Sequence, residues 1–265
     1  MTRNLALSAF FFLPLSAFSS EVVEQAIPIV PEYDLSAELG FLYKSGNTKS
    51  VDIKAGLNLR HQKNQWTNEV AFNFLGKKLE TESVNDDGAT DKNFVTTDNK
   101  WNITTQTNYT LNPEGKNYLY GNLAYEEDQF SSFEKQSSIS SGWGRNWYKT
   151  KKASLFADVG PGYKYDIIRE SETIMKESKG GFIIQAQALY LRKINEFVEF
   201  RQLVIAKYAV DTEENSVYKA ETSITTKLIE SLQLKFTITI DHNTEVEEGF
   251  DNTDTQTAMT LVYSF

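Results

Sequence analysis

Leu232-Gln233-Leu234-Lys235-Phe236-Thr237-Ile238-Thr239-Ile240-Asp241 alternates apolar and polar side chains without a break. In an extended chain successive side chains point to opposite faces, so the Leu, Phe and Ile residues share one face and Gln233, Lys235, Thr237, Thr239 and Asp241 share the other. The segment reads as a strand between a greasy environment and a wet one. Near the other end of the chain, Val51, Ile53, Ala55, Leu57 and Leu59 stand against Asp52, Lys54, Gly56, Asn58 and Arg60 in the same way.

Outward from these two segments, period-two runs predict twelve strands near 34–44, 50–61, 66–79, 94–111, 117–127, 135–148, 153–166, 174–191, 196–208, 217–229, 232–242 and 253–265. Many exceed the five or six residues usual in globular strands and match the roughly 9 to 11 that a tilted strand needs to cross a bilayer. Two runs alternate poorly: 135–148 carries Ser137, Ser138, Ser140, Ser141, Gly142 and Gly144, and Leu203 and Ile205 interrupt the polar face of 196–208.

Every second connection is short: 61–65, 112–116, 149–152, 192–195 and 229–231. The others, at 80–93, 126–134, 166–173, 211–216 and 243–252, are longer or more acidic, with 45–49 the one short member. Acidic residues such as Glu82, Asp86, Asp87, Glu213, Glu214, Glu247 and Glu248 gather on this second side, and Lys63, Lys116, Lys149, Lys151, Lys152 and Arg192 at the short turns. Bacterial barrels have an even strand count, short periplasmic turns and longer outside loops. The expected fold is therefore all-β: a closed antiparallel transmembrane barrel of about twelve strands, spanning 34–265.

The last run ends on Phe265, with Tyr263, Leu261 and Met259 at every second position before it. An aromatic terminus after alternating apolar residues is expected to be the signal that the outer-membrane assembly machinery reads. Aromatic belts are expected at Trp66, Tyr109, Tyr118, Trp147, Tyr148, Tyr190, Phe197 and Tyr263 near the periplasmic ends, and at Tyr43, Tyr165, Tyr208 and Tyr218 near the outer ends, in contact with outer-membrane lipid.

At the amino end Arg3 precedes an apolar run from Leu5 to Leu15, and Ala17 and Ser19 supply small residues for cleavage. Residues 1–19 are expected to be a signal peptide, too short to span the bilayer, followed by a periplasmic segment at 20–33. The chain has no cysteine, which excludes a disulfide framework and fits an oxidising periplasm. No later segment approaches 18 consecutive apolar residues, so membrane helices are excluded. A net charge of −9 argues against a nucleic-acid partner, which requires a basic surface.

Gly40-Phe41-Leu42-Tyr43-Lys44-Ser45-Gly46-Asn47-Thr48 and Gly160-Pro161-Gly162-Tyr163-Lys164-Tyr165 resemble two elements of the domain-of-unknown-function 481 family, often labelled salt-induced outer membrane proteins. The resemblance extends over roughly 33–265 and implies an outer-membrane barrel, with no known activity attached. Ser-Gly-Asn-Thr is a tight-turn composition, because Gly and Asn tolerate positive φ. Pro161 between two glycines is expected to mark a bend or bulge with one ladder bond missing.

Signals for chemistry are thin. His61 falls in a short turn, and His242, two residues before Thr244, offers only a faint likeness to the His-x-Ser of a membrane phospholipase. Asn85-Asp86-Asp87-Gly88 lacks the spacing of a calcium loop, and no phosphate-cradling glycine loop opens a helix. No catalytic residue, metal or cofactor is expected.

The lumen remains as the place for function. Candidate inward residues are Glu38, Lys54, Arg60, Glu69, Lys100, Arg145, Asp158, Glu199, Arg201 and Lys235, joined by Lys77, Glu126, Lys164 and Asp241. Such mixed charges either pair with one another and fill the barrel or form a transverse field around a narrow pathway for small ions and polar solutes. Barrels of about eight strands are filled and those of sixteen hold aqueous channels, and twelve lies between. Three functions stay open: a structural or stress-associated envelope protein that passes small solutes passively, a solute-specific channel, and a lipid hydrolase.

Overall fold

In the computed structural model the described residues are 32–44, 50–84, 90–112, 115–169, 177–211, 214–247 and 250–265. The signal peptide at 1–19, residues 20–31 of the periplasmic segment, the Ser-Gly-Asn-Thr turn at 45–48 and the Asn85–Gly88 run lie outside them. Twelve strands follow in order: β1 (Tyr33–Lys44), β2 (Ser50–Lys63), β3 (Trp66–Val84), β4 (Thr90–Thr110), β5 (Asn117–Asp128), β6 (Phe133–Lys149), β7 (Ala153–Ile168), β8 (Ser178–Lys193), β9 (Val198–Ala209), β10 (Val217–Lys227), β11 (Leu232–Asn243) and β12 (Thr253–Ser264). Each pairs antiparallel with its sequence neighbour, and β12 returns to β1, closing the barrel.

The alternation places side chains as expected. Phe236, Ile238, Ile240, Met259 and Leu261 are exposed on the outer surface, as are Phe182 at 71% and Phe265 at 76%. Inward positions carry buried polar groups, among them Gln106, Asn122, Asp158, Lys164, Gln185, Thr237 and Thr260. This inverts the usual arrangement of a protein in water, where a continuous exposed apolar surface is rare. Closure leaves no free sheet edge around most of the wall, the condition for backbone held in hydrocarbon.

Two local expectations need correction. The connection expected at 80–93 is mostly strand: the β3–β4 ladder continues through Glu80–Phe94 and on to Val84–Thr90. The β-branched and aromatic run Phe94-Val95-Thr96-Thr97 favours extended backbone, and Thr97 is the extra residue where the register shifts between Lys77 and Lys78. The bulge expected at Pro161 is absent, since Ser140–Gly162 and Trp143–Val159 keep one register across it. What happens there is a lapse in β6–β7 pairing. Gly142 and Gly160 face each other so closely that a methyl group on either would strike the opposite backbone, and Pro161 has no N–H to give. The β6–β7 register shifts lie elsewhere, at Phe133/Lys135 and Asn146/Tyr148.

Candidate functional site

The lumen holds a cavity of about 480 Å³ lined by inward side chains from β1 round to β12. Its charges are unevenly placed. On β7 to β11 the lining has five cations, Lys164, Arg201, Lys207, Lys219 and Lys235, against Asp166, Glu221 and Asp241. On β12 and β1 to β5 it has two, Lys54 and Lys100, against Glu38, Glu69, Glu126, Asp128 and Asp254. One wall is therefore net positive and the other net negative, which sets a field across the lumen.

Most of these charges are paired, several across non-adjacent strands. Lys100 Nζ lies 2.8 Å from Glu126 Oε1, 3.6 Å from Asp128 Oδ2 and 3.9 Å from Asp241 Oδ2. Lys219 Nζ reaches the other oxygen of Asp241 at 3.3 Å, so one network joins β4 and β5 to β10 and β11 through the interior. Lys235 Nζ donates to Glu38 Oε1 at 2.8 Å over the width of β12, and Arg201 pairs with Glu221 on the neighbouring strand. Lys207 Nζ donates to Ser138 Oγ at 2.8 Å. Among the described residues no three His, Asp or Glu side chains converge as a metal would require; Glu126, Asp128 and Asp241 gather around Lys100 instead.

The two ends of the cavity are built differently. Toward the short turns, Tyr118 Oη donates to Asp158 Oδ2 at 3.2 Å, and Gln106 Nε2 donates to the same oxygen at 3.4 Å. Asn122 Nδ2 joins them through Gln106 Oε1 at 3.4 Å. Tyr118 on β5 reaches Asp158 on β7 because β6 offers it Gly144, matched with both residues; a Cβ at Gly144 would occupy the space of the Tyr118 ring. This strand-borne cluster forms a floor.

At the opposite end connections meet over the mouth. Glu247 N, between β11 and β12, donates to Ser132 Oγ, between β5 and β6, at 3.1 Å. Asn215 Nδ2 donates to Asn243 Oδ1 and Ser216 N to Thr244 Oγ1, each at 2.8 Å. Arg169 Nε donates to Ser131 O at 2.8 Å. Lys164 Nζ, 2.6 Å from Asp166 Oδ2, lies 3.3 Å from Glu214 Oε2 and so ties this roof to β7.

Of the residues singled out in the sequence, Glu38, Lys54, Glu69, Lys100, Arg201 and Lys235 line the cavity. Asp158 belongs to the floor, and Arg60, its Nε 3.2 Å from Glu69 Oε1, sits at the short-turn end. Glu199 is matched with Thr225 two places along from the Arg201–Ser223 pair, on the same face but beyond the cavity. Arg145 is a correction. It is matched with Asn117 and Ala157, whose neighbours Tyr118 and Asp158 point inward, so it faces outward, its guanidinium 5.5 Å over the Trp147 ring. Tyr118 is the converse: expected in the lipid-facing belt near the periplasmic ends, it is buried inside. Met259, Leu261, Tyr263 and Phe265 are all exposed outward, the last two edge to face at 4.8 Å. Trp66 and Tyr109 meet by the short turns with ring centroids 4.8 Å apart and planes tilted by 54°.

Lys207, Lys219, Glu221, Gln106 and Asn122 went unnoticed in the sequence, although counting by twos from Arg201, Glu126 and Lys100 reaches the strand positions of all but Lys219 and Glu221. His242 Nδ1 is 2.8 Å from Thr253 Oγ1 and its ring lies beside Tyr218, while His61 stacks on Tyr33 at 4.5 Å.

Residues 37–265 match the sequence family described as "Protein of unknown function, DUF481". The uncharacterized protein YdiY of Escherichia coli strain K12 is 24% identical over 226 residues, which cover 85% of this chain and 80% of YdiY. Among solved structures, an outer membrane channel from Pseudomonas putida F1 is similar at 11% identity and a TM-score of 0.45, over 93% of this chain and 100% of the channel. The NanC porin is similar at 11% identity and a TM-score of 0.47, over 86% of this chain and 98% of the porin.

Proposed function

Because the chain belongs to the DUF481 family, whose description fixes no activity, function has to be read from the barrel itself, and we propose an outer-membrane protein that gives small ions and polar solutes a narrow, passive pathway. The observation that carries this reading is the 480 Å³ cavity with a net positive wall on β7 to β11 and a net negative wall opposite. A transverse field of that kind orients dipolar solutes and slows none of one sign completely. The bridging ion pairs keep the passage narrow, and the apolar exterior supplies the surface that a bilayer would cover. The short turns then face the periplasm and the roof faces outward.

Purified protein in planar bilayers tests it. Discrete conductance steps well below those of a sixteen-stranded porin are expected, consistent with about twelve strands and a paired interior. Electrically silent bilayers with verified insertion would overturn the reading. The pathway involves no catalytic step. A rival assignment as a lipid hydrolase centres on His242, and phospholipase activity that disappears in His242→Ala would replace the channel with an enzyme.

A further inference from the structure

The barrel wall is not uniformly sealed. From β1–β2 round to β11–β12, every adjacent pair of strands is matched over ten or more residue pairs. The closing seam between β1 and β12 is matched over four, from Ser36–Ser264 to Leu39–Leu261. Both strands run on beyond it, β1 to Lys44 and β12 back to Thr253, each paired only with its other neighbour. In hydrocarbon an unpaired backbone group costs several kcal/mol. An open edge at that height is therefore the weakest stretch of the wall.

Side chains along β12 also change character at the gap. Along β11 the outward residues Phe236, Ile238 and Ile240 stay apolar, and they are matched on β12 by Met259, Thr257 and Thr255. The apolar band thus continues at this height on β11 while β12 turns to hydroxyls where its ladder with β1 ends. Phe41 stands exposed on the other bank. Inside, Gly40 is buried, and a methyl there would meet the Met259 carbonyl at 2.8 Å and Thr260 at 2.9 Å, so the two strands still touch just past the end of their ladder. Lys54, matched with Gly40, lines the cavity behind it. Glu38 beside it is engaged by Lys235, and Lys54 has no ion-pair partner among the described residues.

We propose that the β1–β12 gap is a lateral portal through which a membrane amphiphile with an anionic head enters the lumen, its head on Lys54 and its hydrocarbon tail between Phe41 and Met259. The proposal rests on the barrel lying in a membrane, and it adds a route and a ligand class to the axial pathway. Connections cross the outer mouth and the Tyr118 cluster narrows the far end, so the seam is the breach in the side wall that joins the cavity to lipid. The free ammonium selects the sign of the head, and the threonines carry it past the rim.

The test uses the full chain in lipid nanodiscs with decyl phosphate as probe and inorganic phosphate as the water-borne comparison. Decyl phosphate should bind, with affinity reduced about tenfold or more in Lys54→Gln, while inorganic phosphate should show no saturable binding. The chain has no cysteine, so Phe41→Cys with Met259→Cys can pin the seam, and Ile238→Cys with Thr257→Cys pins the fully matched β11–β12 ladder as a control. The seam lock should abolish decyl phosphate uptake, reversibly with reductant, and the control lock should not. Independently of whether the lock forms, amides of 41–44 and 253–259 should exchange about a hundredfold faster than those of 232–240. Equal protection of the two sets, or binding indifferent to Lys54→Gln, would overturn the portal. Conductance recorded on the locked protein separates the two proposals, because the lock leaves the axial pathway as it was.

Discussion

The two ends of the lumen close by different means. The floor is made of side chains rooted in β4, β5 and β7, with Gly144 on β6 cut back so that Tyr118 lies flat and reaches Asp158. The roof is made of connections, with Ser132, Glu214 and Glu247 joined by single hydrogen bonds and one ion pair to Lys164. A ladder fixes backbone positions to a fraction of an ångström, so the floor can open only by side-chain rotation. Connections open by moving whole segments, for the loss of few bonds. If the lumen is the proposed pathway, the difference puts gating at the roof and selectivity in the lumen and floor.

The harshest way to break this contrast is Lys164→Met. Lys164 and Asp166 are each 2% exposed, and removing one partner of a buried pair strands the other charge at about 3 to 5 kcal/mol. Urea unfolding in lipid vesicles should register that loss together with a noisier outer mouth, since Glu214 is released as well. A change below about 1 kcal/mol would mean that water already solvates the pair and that the roof has no anchor in the wall.

Gly144→Ala sharpens the contrast from the floor side. Its Cβ takes the place of the Tyr118 ring, and such overpacking costs about 1 to 3 kcal/mol. The ring must swing into the lumen, so single-channel conductance should fall. Unchanged conductance would place the narrowest point elsewhere. Tyr118→Phe is milder, about 1 to 2 kcal/mol for one hydrogen bond withdrawn from a carboxylate that keeps Gln106. It should leave conductance near that of the parent, because the ring remains.

Legibility in the sequence follows the same division. Strand order, count and facing were written in two-residue periodicity, because each side chain meets either a greasy or a wet environment and nothing intermediate. Where that contrast fades, reading failed. Arg145 reads as inward from the sequence, but the shift at Asn146/Tyr148 lies beside it, and Ser and Gly on both faces of β6 give no phase to count from. Tyr118 reads as a belt residue because it sits near a strand end and is aromatic, although it has the same parity as Glu126, which lines the cavity. The floor itself was invisible for a different reason. Its logic is an absence, the missing side chain at Gly144, and its partners come from strands that are not neighbours. The seam was equally hidden, since alternation in β1 and β12 says which way each residue points and nothing about how far the two strands run together.

The smallest change, Ser132→Ala, bears on the roof alone. Ser132 is buried, and its Oγ accepts from the Glu247 amide at 3.1 Å, the one described bond directly joining the β5–β6 and β11–β12 connections. Losing it should cost about 0.5 to 1.5 kcal/mol, the net value of a neutral hydrogen bond. Because Lys164 still holds Glu214 and Asn215 still holds Asn243, the mouth should remain assembled on average. What should change is time: openings in current traces become more frequent with the same step height, since the lumen and floor are untouched. A change in step height instead would show that the roof, and not the floor, sets the limiting cross-section, and the division of labour between the two ends would be reversed.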